Sequence, residues 1–206
     1  MTKDVKILGL PTIDIVHEQI RQCVKCNLCN TRTMAVPGEG PSTATIMFVG
    51  EAPGHVNDQV GRPFVGQGGR IFDSILSRVG ISRQDVFITN AVKCWPPNNR
   101  KPQNIEIEAC KSYLDQQIII VKPRVIFALG TTAFNLLTGE KIKLHDEHGK
   151  IVYRASTPVC ALLHPNGIRY IKGGMQTIVD DISGAIMQLQ LSQLVKTELT
   201  QGKLFE

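Results

Sequence analysis

The sequence predicts an α/β fold, a three-layer α/β/α sandwich around a mainly parallel, four-stranded central sheet. Two observations predict it. Short apolar runs alternate with amphipathic stretches at helical spacing, the pattern of a parallel sheet covered by helices on both faces. Each strongly marked loop also follows a strand, at Gly50, Asn90, Gly130 and His164. Open parallel sheets bind ligands at that carboxyl edge.

The elements follow in chain order. Ile13 to Gln22 reads as a short helix with Ile13, Val16 and Ile20 on one face. Thr45 to Val49 (TIMFV) is a short apolar run ending at Gly50, as expected of a strand buried on both faces. Ile71 to Val79 reads as a helix stopped by Gly80, and Val86 to Thr89 as the second strand. Asn104 is the expected N-cap of a helix reaching about Val121, with Glu106 and Glu108 favourable in its first turn. Arg124 to Leu129 is the third strand, and Thr131 to Leu137 a helix after Gly130. Lys150 to Tyr153 reads as an extra strand and Val159 to Leu163 as the last main one. Met175, Ile178, Val179, Ile182, Ile186 and Leu189 recur at helical spacing and mark a C-terminal helix.

The 206 residues fit one domain, 1–206, with about 197–206 as a flexible tail. No apolar run is long enough to span a bilayer, and Met1 to Leu10 lacks a signal-peptide layout. The expectation is therefore a cytoplasmic protein with no membrane partner, acting as a monomer. Thiols there are usually reduced, so the six cysteines imply ligation or burial before disulfides. A net charge of +5 permits a polyanionic partner without requiring one.

Cys23 and Cys26 form a C-x2-C pair, and Cys94 and Cys110 form a second, wider pair. Such thiolates suit zinc or an iron–sulfur cluster. Spacing alone does not separate the two. The helical setting of Cys110 and the lack of a nearby H-x-H pair lean toward the cluster. Cys29 competes with Cys26, because CVKCNLC holds two overlapping C-x2-C pairs. Cys160 lies in a strand and reads as core.

The order and spacing of C-x2-C, VPGEG (Val36 to Gly40), GEAPG, GRPFVGQGG, TNAVKCWPPNNRKP, the helix carrying Cys110, ALGTTA and HP are similar to those of the family 4 uracil-DNA glycosylases, the iron–sulfur-containing branch. The resemblance runs from about Cys23 to about Arg169. It implies a DNA-repair hydrolase that removes uracil from single- or double-stranded DNA and leaves an abasic site. It also implies a structural [4Fe–4S] cluster on Cys23, Cys26, Cys94 and Cys110, with Cys29 as a spare.

The chemistry of uracil excision fits the marked residues. The base must leave the stack and enter a shaped pocket. Gly50, Glu51, Ala52, Pro53 and Gly54 supply a loop that lets backbone approach the ligand. The resemblance makes Phe64 the ring that stacks on uracil and Asn90 the reader of its edge. A side-chain amide offers a donor and an acceptor, matching uracil O4 and N3–H and mismatching the cytosine amine. His164 would donate to uracil O2, a bond whose value rises as charge builds on the departing ring. Glu51 is the first candidate to orient the attacking water or stabilise the cation-like sugar, Asn99 the second and Asp58 the third. Ile168 stands where the family has a leucine wedge, and Arg169, Lys172, Arg62, Arg100 and Lys101 are candidate phosphate contacts.

Some features depart from the family pattern. HPNGI replaces the commoner HPAA-leucine, and Asn57 stands where an acidic residue often precedes Asp58. No long basic insertion follows GRPFVGQGG, which disfavours the subgroup that bonds covalently to DNA. Two rival readings stay open at this point. One is a non-catalytic iron–sulfur module for nucleic-acid binding, damage sensing or electron transfer, and the other a glycosylase relaxed toward further deaminated bases. In the terminal TQGKLFE, Gln201, Leu204 and Phe205 loosely resemble a sliding-clamp ligand, against the plainer reading of a frayed tail.

Overall fold

The computed structural model describes residues 11–191. The tail 197–206 and its clamp-like Gln201, Leu204 and Phe205 lie outside the described residues. Five strands, β1 (Ile46–Gly50), β2 (Phe87–Asn90), β3 (Val125–Leu129), β4 (Ile151–Arg154) and β5 (Thr157–Leu162), form one sheet in the order β2-β1-β3-β5-β4. The sequence reading of four main strands is corrected by one. β4 is a full member, antiparallel to β5 through a tight turn at Ala155, whereas every other pairing is parallel.

Period-2 alternation divides the strands between two cores. Ile46, Phe48, Ile88, Phe127 and Leu162 face α3 (Gln67–Arg78) and α7 (Gly174–Gln188). Met47, Val49, Phe87, Ile126 and Ala161 face α4 (Asn104–Val121) and α5 (Thr131–Thr138). That is the expected three-layer sandwich. A third, smaller core joins α1 (Ile13–Arg21) to α4 and to four of the cysteines. Cys160 is fully buried in the first core, as expected of a strand cysteine.

Four local differences have clear causes. α3 begins one turn earlier than its apolar pattern, because its glycines press against the preceding loop. A Cβ on Gly69 would stand 2.0 Å from the Phe64 carbonyl oxygen. The cap of α4 is Gln103 rather than Asn104. The Glu106 carboxylate accepts the Gln103 N–H at 2.7 Å and draws the helix start back by one residue. The short helices α2 (His55–Val60) and α6 (Leu144–Glu147) lacked any apolar periodicity to announce them. The VPGEG segment covers the open edge of β2, where Glu39 exchanges two backbone hydrogen bonds with Ile88 (2.9 and 2.7 Å), protecting an exposed strand edge. Among the described residues, no helix is long and apolar enough to cross a membrane.

Candidate active site

The carboxyl ends of β1, β2 and β5 open into one pocket, whose wall includes Glu51, Phe64, Asn90, Asn99 and His164. Gly50, directly in register with Asn90, lies behind this wall, against the Asn90 and Phe64 side chains. A Cβ there would stand 2.3 Å from Asn90 Oδ1 and 2.7 Å from Phe64 Cζ, so glycine at this position lets the two side chains share the space.

Phe64 carries φ of 50°, a left-handed conformation costly for a bulky residue. Its surroundings hold it there. Arg83 donates to the carbonyls of Phe64 (3.2 Å) and Pro63 (2.7 Å), and is anchored by Glu39 and Asp73. The ring lies 6.2 Å from His164, tilted by 30°, and packs on Phe72 behind it.

His164 Nδ1 accepts the backbone N–H of Asn166 at 3.2 Å. That bond leaves Nε2 as the protonated nitrogen of a neutral ring. Burial pulls the His164 pKa below its ordinary value, with the Glu51 carboxylate opposing the shift. The ring is therefore a neutral donor near pH 7. Thr132, in the first turn of α5, donates its hydroxyl to Glu51 Oε2. Trp95 donates its indole N–H to Asn99 Oδ1 at 2.8 Å and stacks edge-on with His55, 4.9 Å away. Thr132 and Trp95 escaped the sequence reading: Thr132 meets its partner across 81 residues, which nothing local announces, and Trp95 lies only four residues from Asn99, where only the turn between them aims the indole at the amide.

Several expectations are corrected. Ile168 is only 5% exposed and packs into the core beneath the loop, so it presents no apolar tip. The exposed aromatic of this loop is Tyr170, at the rim of the pocket. Asp58 is buried and turned away from the pocket wall; its Oδ2 accepts the Thr33 N–H at 2.9 Å, and its Oδ1 has no hydrogen-bond partner among the described residues. Asn57 braces the loop, accepting from the Gly54 N–H and donating to the Arg62 carbonyl, each at 3.0 Å. Arg62 pairs with Glu39 (2.8 Å), and Arg100 grips Glu106 with two nitrogens (2.9 and 2.6 Å). Both arginine charges are thus answered within the chain, although Arg100 does reach the pocket wall. Lys101 and Lys172 are exposed, and the Arg169 side chain lies outside the described residues.

Cys23, Cys26, Cys29, Cys94 and Cys110 line one small hollow beside α1 and α4, together with Lys25, Arg32 and Lys93. The thiols ring this hollow rather than converge. Among the described residues, no three His, Cys, Asp or Glu side chains are grouped to hold a single ion. Donors already point at three of the sulfurs: Lys25 N–H to Cys23 (3.5 Å), Lys93 N–H to Cys110 (3.4 Å) and Arg32 Nη1 to Cys94 (3.2 Å). The Cys29 thiol instead donates to Asn30 Oδ1 at 3.4 Å. Lys93 is fully buried, and its ammonium donates to Thr89 Oγ1 (2.7 Å), the Asn90 carbonyl (2.6 Å) and Gln117 Oε1 (2.7 Å). One residue thereby ties the cysteine hollow to the strand end that carries Asn90.

Fold, pocket and cysteine hollow together define the class. The chain belongs to the uracil DNA glycosylase superfamily, whose family model matches residues 37–182, and within it to the type-4 family. It is 48% identical over 161 residues to the type-4 uracil-DNA glycosylase of Pyrobaculum aerophilum, an alignment covering 74% of this chain and 82% of that one. It is 42% identical over 156 residues to the type-4 enzyme of Thermotoga maritima, covering 75% and 81%. The type-5 uracil-DNA glycosylase of Pyrobaculum aerophilum is more distant, at 33% over 156 residues, covering 67% and 68%.

Proposed function

We propose that the protein hydrolyses the N-glycosidic bond of a flipped-out uracil in DNA and leaves an abasic site. The observation that carries this reading is the convergence of Phe64, Asn90 and His164 on one pocket at the carboxyl edge of the sheet, with Gly50 behind Phe64 and Asn90. The Phe64 ring offers a face for the base. The Asn90 amide pairs with O4 and N3–H of uracil and leaves the cytosine amine facing a donor. The neutral His164 donates from Nε2 to O2. Its bond strengthens as the C1′–N1 bond breaks and the electron pair departs with the ring. Water adds to C1′ and its proton is released. Glu51, held by Thr132, stabilises the cation-like sugar or orients that water, with Asn99 beside it.

The cysteine hollow supports a [4Fe–4S] cluster on Cys23, Cys26, Cys94 and Cys110. In such a cluster each thiolate takes its own iron, whereas four ligands of one zinc ion converge at about 2.3 Å. Nearby Lys25 and Arg32 and the backbone donors to sulfur suit a thiolate-rich, anionic group. When bound, the cluster would cross-link the segment that follows α1, the Cys94 loop and α4. A non-catalytic cluster module would have no use for the base pocket. Monomeric action in the cytoplasm completes the proposal and rests on sequence alone.

The test is abasic-site formation from a single-uracil oligonucleotide, with thymine, cytosine and hypoxanthine controls and a His164→Ala variant alongside. Excision confined to uracil and reduced roughly 10²-fold or more in the variant is expected for loss of an oxyanion-type donor. No excision by iron-replete protein rejects the reading. Excision of hypoxanthine as well identifies the relaxed enzyme.

A further inference from the structure

Ile168 and Tyr170 lie in the same short 3-10 turn after His164 and have opposite surroundings. Ile168 is buried, and α7 closes beneath it: a Cβ on Gly174 would stand 2.9 Å from the Ile168 Cβ. Tyr170 is 84% exposed, more than any other large hydrophobic side chain among the described residues. Its backbone is braced by Tyr170 N–H to Gly167 O (3.1 Å) and Ile171 N–H to Ile168 O (3.0 Å). Both Gly167 and Tyr170 belong to the wall of the pocket that holds Asn90 and His164. A single exposed aromatic is unremarkable on a surface. One presented from a fixed turn at the mouth of a base pocket is placed where DNA must pass.

We propose that Tyr170, and not Ile168, enters the base stack when the target nucleotide leaves it. The inference rests on the glycosylase reading above and names the residue that makes flipping affordable. Extrusion leaves the neighbouring base without a stacking partner. An aliphatic wedge fills such a gap, whereas a planar ring restores stacking as well. Stacking of one base on an aromatic side chain corresponds to roughly ten- to hundred-fold in binding. Because that contact is to the flanking base, it is needed on DNA and not for binding free uracil.

The test uses Tyr170→Ala and Tyr170→Phe in iron-replete protein whose thermal midpoint and visible absorption match wild type. Two readouts are taken. The first is kcat/KM on a single-uracil duplex, with inhibition by free uracil measured in parallel. The second is the fluorescence of 2-aminopurine placed beside a stable abasic analogue, which an inserted ring quenches without any chemistry. The expected result is a ten- to hundred-fold loss of kcat/KM and loss of the quench in Tyr170→Ala, with unchanged free-uracil inhibition and both properties kept in Tyr170→Phe. A quench that persists in Tyr170→Ala, or free-uracil affinity falling in step with activity, overturns the proposal. Wild-type protein that excises no uracil instead rejects the glycosylase reading, and the quench still decides the role of Tyr170.

Discussion

Replacing Gly50 by alanine adds one methyl group against Asn90 and Phe64, two side chains of the pocket wall. The φ of Gly50 is not in the left-handed region, so an alanine meets no backbone strain there. Its strand is interior to the sheet: Gly50 pairs with Asn90 of β2, and Val49 beside it pairs with Ala128 of β3. The main chain therefore cannot retreat. The new Cβ would stand 2.3 Å from Asn90 Oδ1 and 2.7 Å from Phe64 Cζ, where ordinary contact begins near 3.4 Å. One or both side chains must move by roughly 1 Å, and displacement on that scale costs on the order of 10²-fold in rate. Both are the groups proposed to hold the base. The expected variant folds, with a melting temperature close to wild type, and loses about 10²-fold in single-turnover abasic-site formation on a uracil duplex. A Gly50→Ala protein that is folded and excises uracil within about threefold of wild type would refute the argument that this glycine makes room for Asn90 and Phe64.

Two further outcomes are expected. On the proposed cluster assignment, Cys29→Ala should retain iron and visible absorption, because that thiol is turned to Asn30, while Cys94→Ala should lose both and melt at lower temperature; iron analysis and absorption spectra read the difference. Burial lowers the His17 pKa to about 4, helped by Arg21 and Lys93 and opposed by Asp14. The folded-state value lies below the unfolded one, so the unfolded chain takes up the proton first. The stability held above about pH 6.5 is therefore lost as pH falls toward about 4. At 1.36 kcal/mol per pKa unit the full loss would be about 3 kcal/mol, and because the ring is partly exposed, screening reduces it to roughly 1–2 kcal/mol. Urea titrations at pH 7.5 and pH 4.5 should show a smaller acid-induced loss for His17→Gln than for wild type; equal losses would remove His17 as a cause.

The two thermodynamic ends of the site differ in character. On the cysteine side, cationic groups and backbone donors face sulfur atoms around a closed hollow. On the pocket side, one strained phenylalanine, Phe64, holds a shape that the chain would not adopt unaided. Strain of this sort persists only where neighbours over-determine it. Arg83 does so for Phe64, drawing on Glu39 and Asp73 to hold its guanidinium against two carbonyls. Lys93 links the halves, because its N–H faces Cys110 while its ammonium holds the Asn90 carbonyl. Burial draws that ammonium down to about 7, with Cys110 and Cys94 opposing the shift.

The amino-acid sequence by itself determined the layered α/β class, the strand-end positions of Gly50, Asn90 and His164, and the cysteines that ring the hollow. Each of these is carried by local period, by residues adjacent in the chain or by cysteine spacing. Tertiary structure alone decided the rest. It made β4 a member of the sheet, buried Ile168 while exposing Tyr170, and turned Asp58 toward Thr33 and away from the pocket. It also answered Arg62 with Glu39, 23 residues away, and Glu51 with Thr132, 81 residues away. A side chain's type and spacing are written locally, but the face it turns to, and the partner that meets it there, are set by elements that pack against it from elsewhere in the chain.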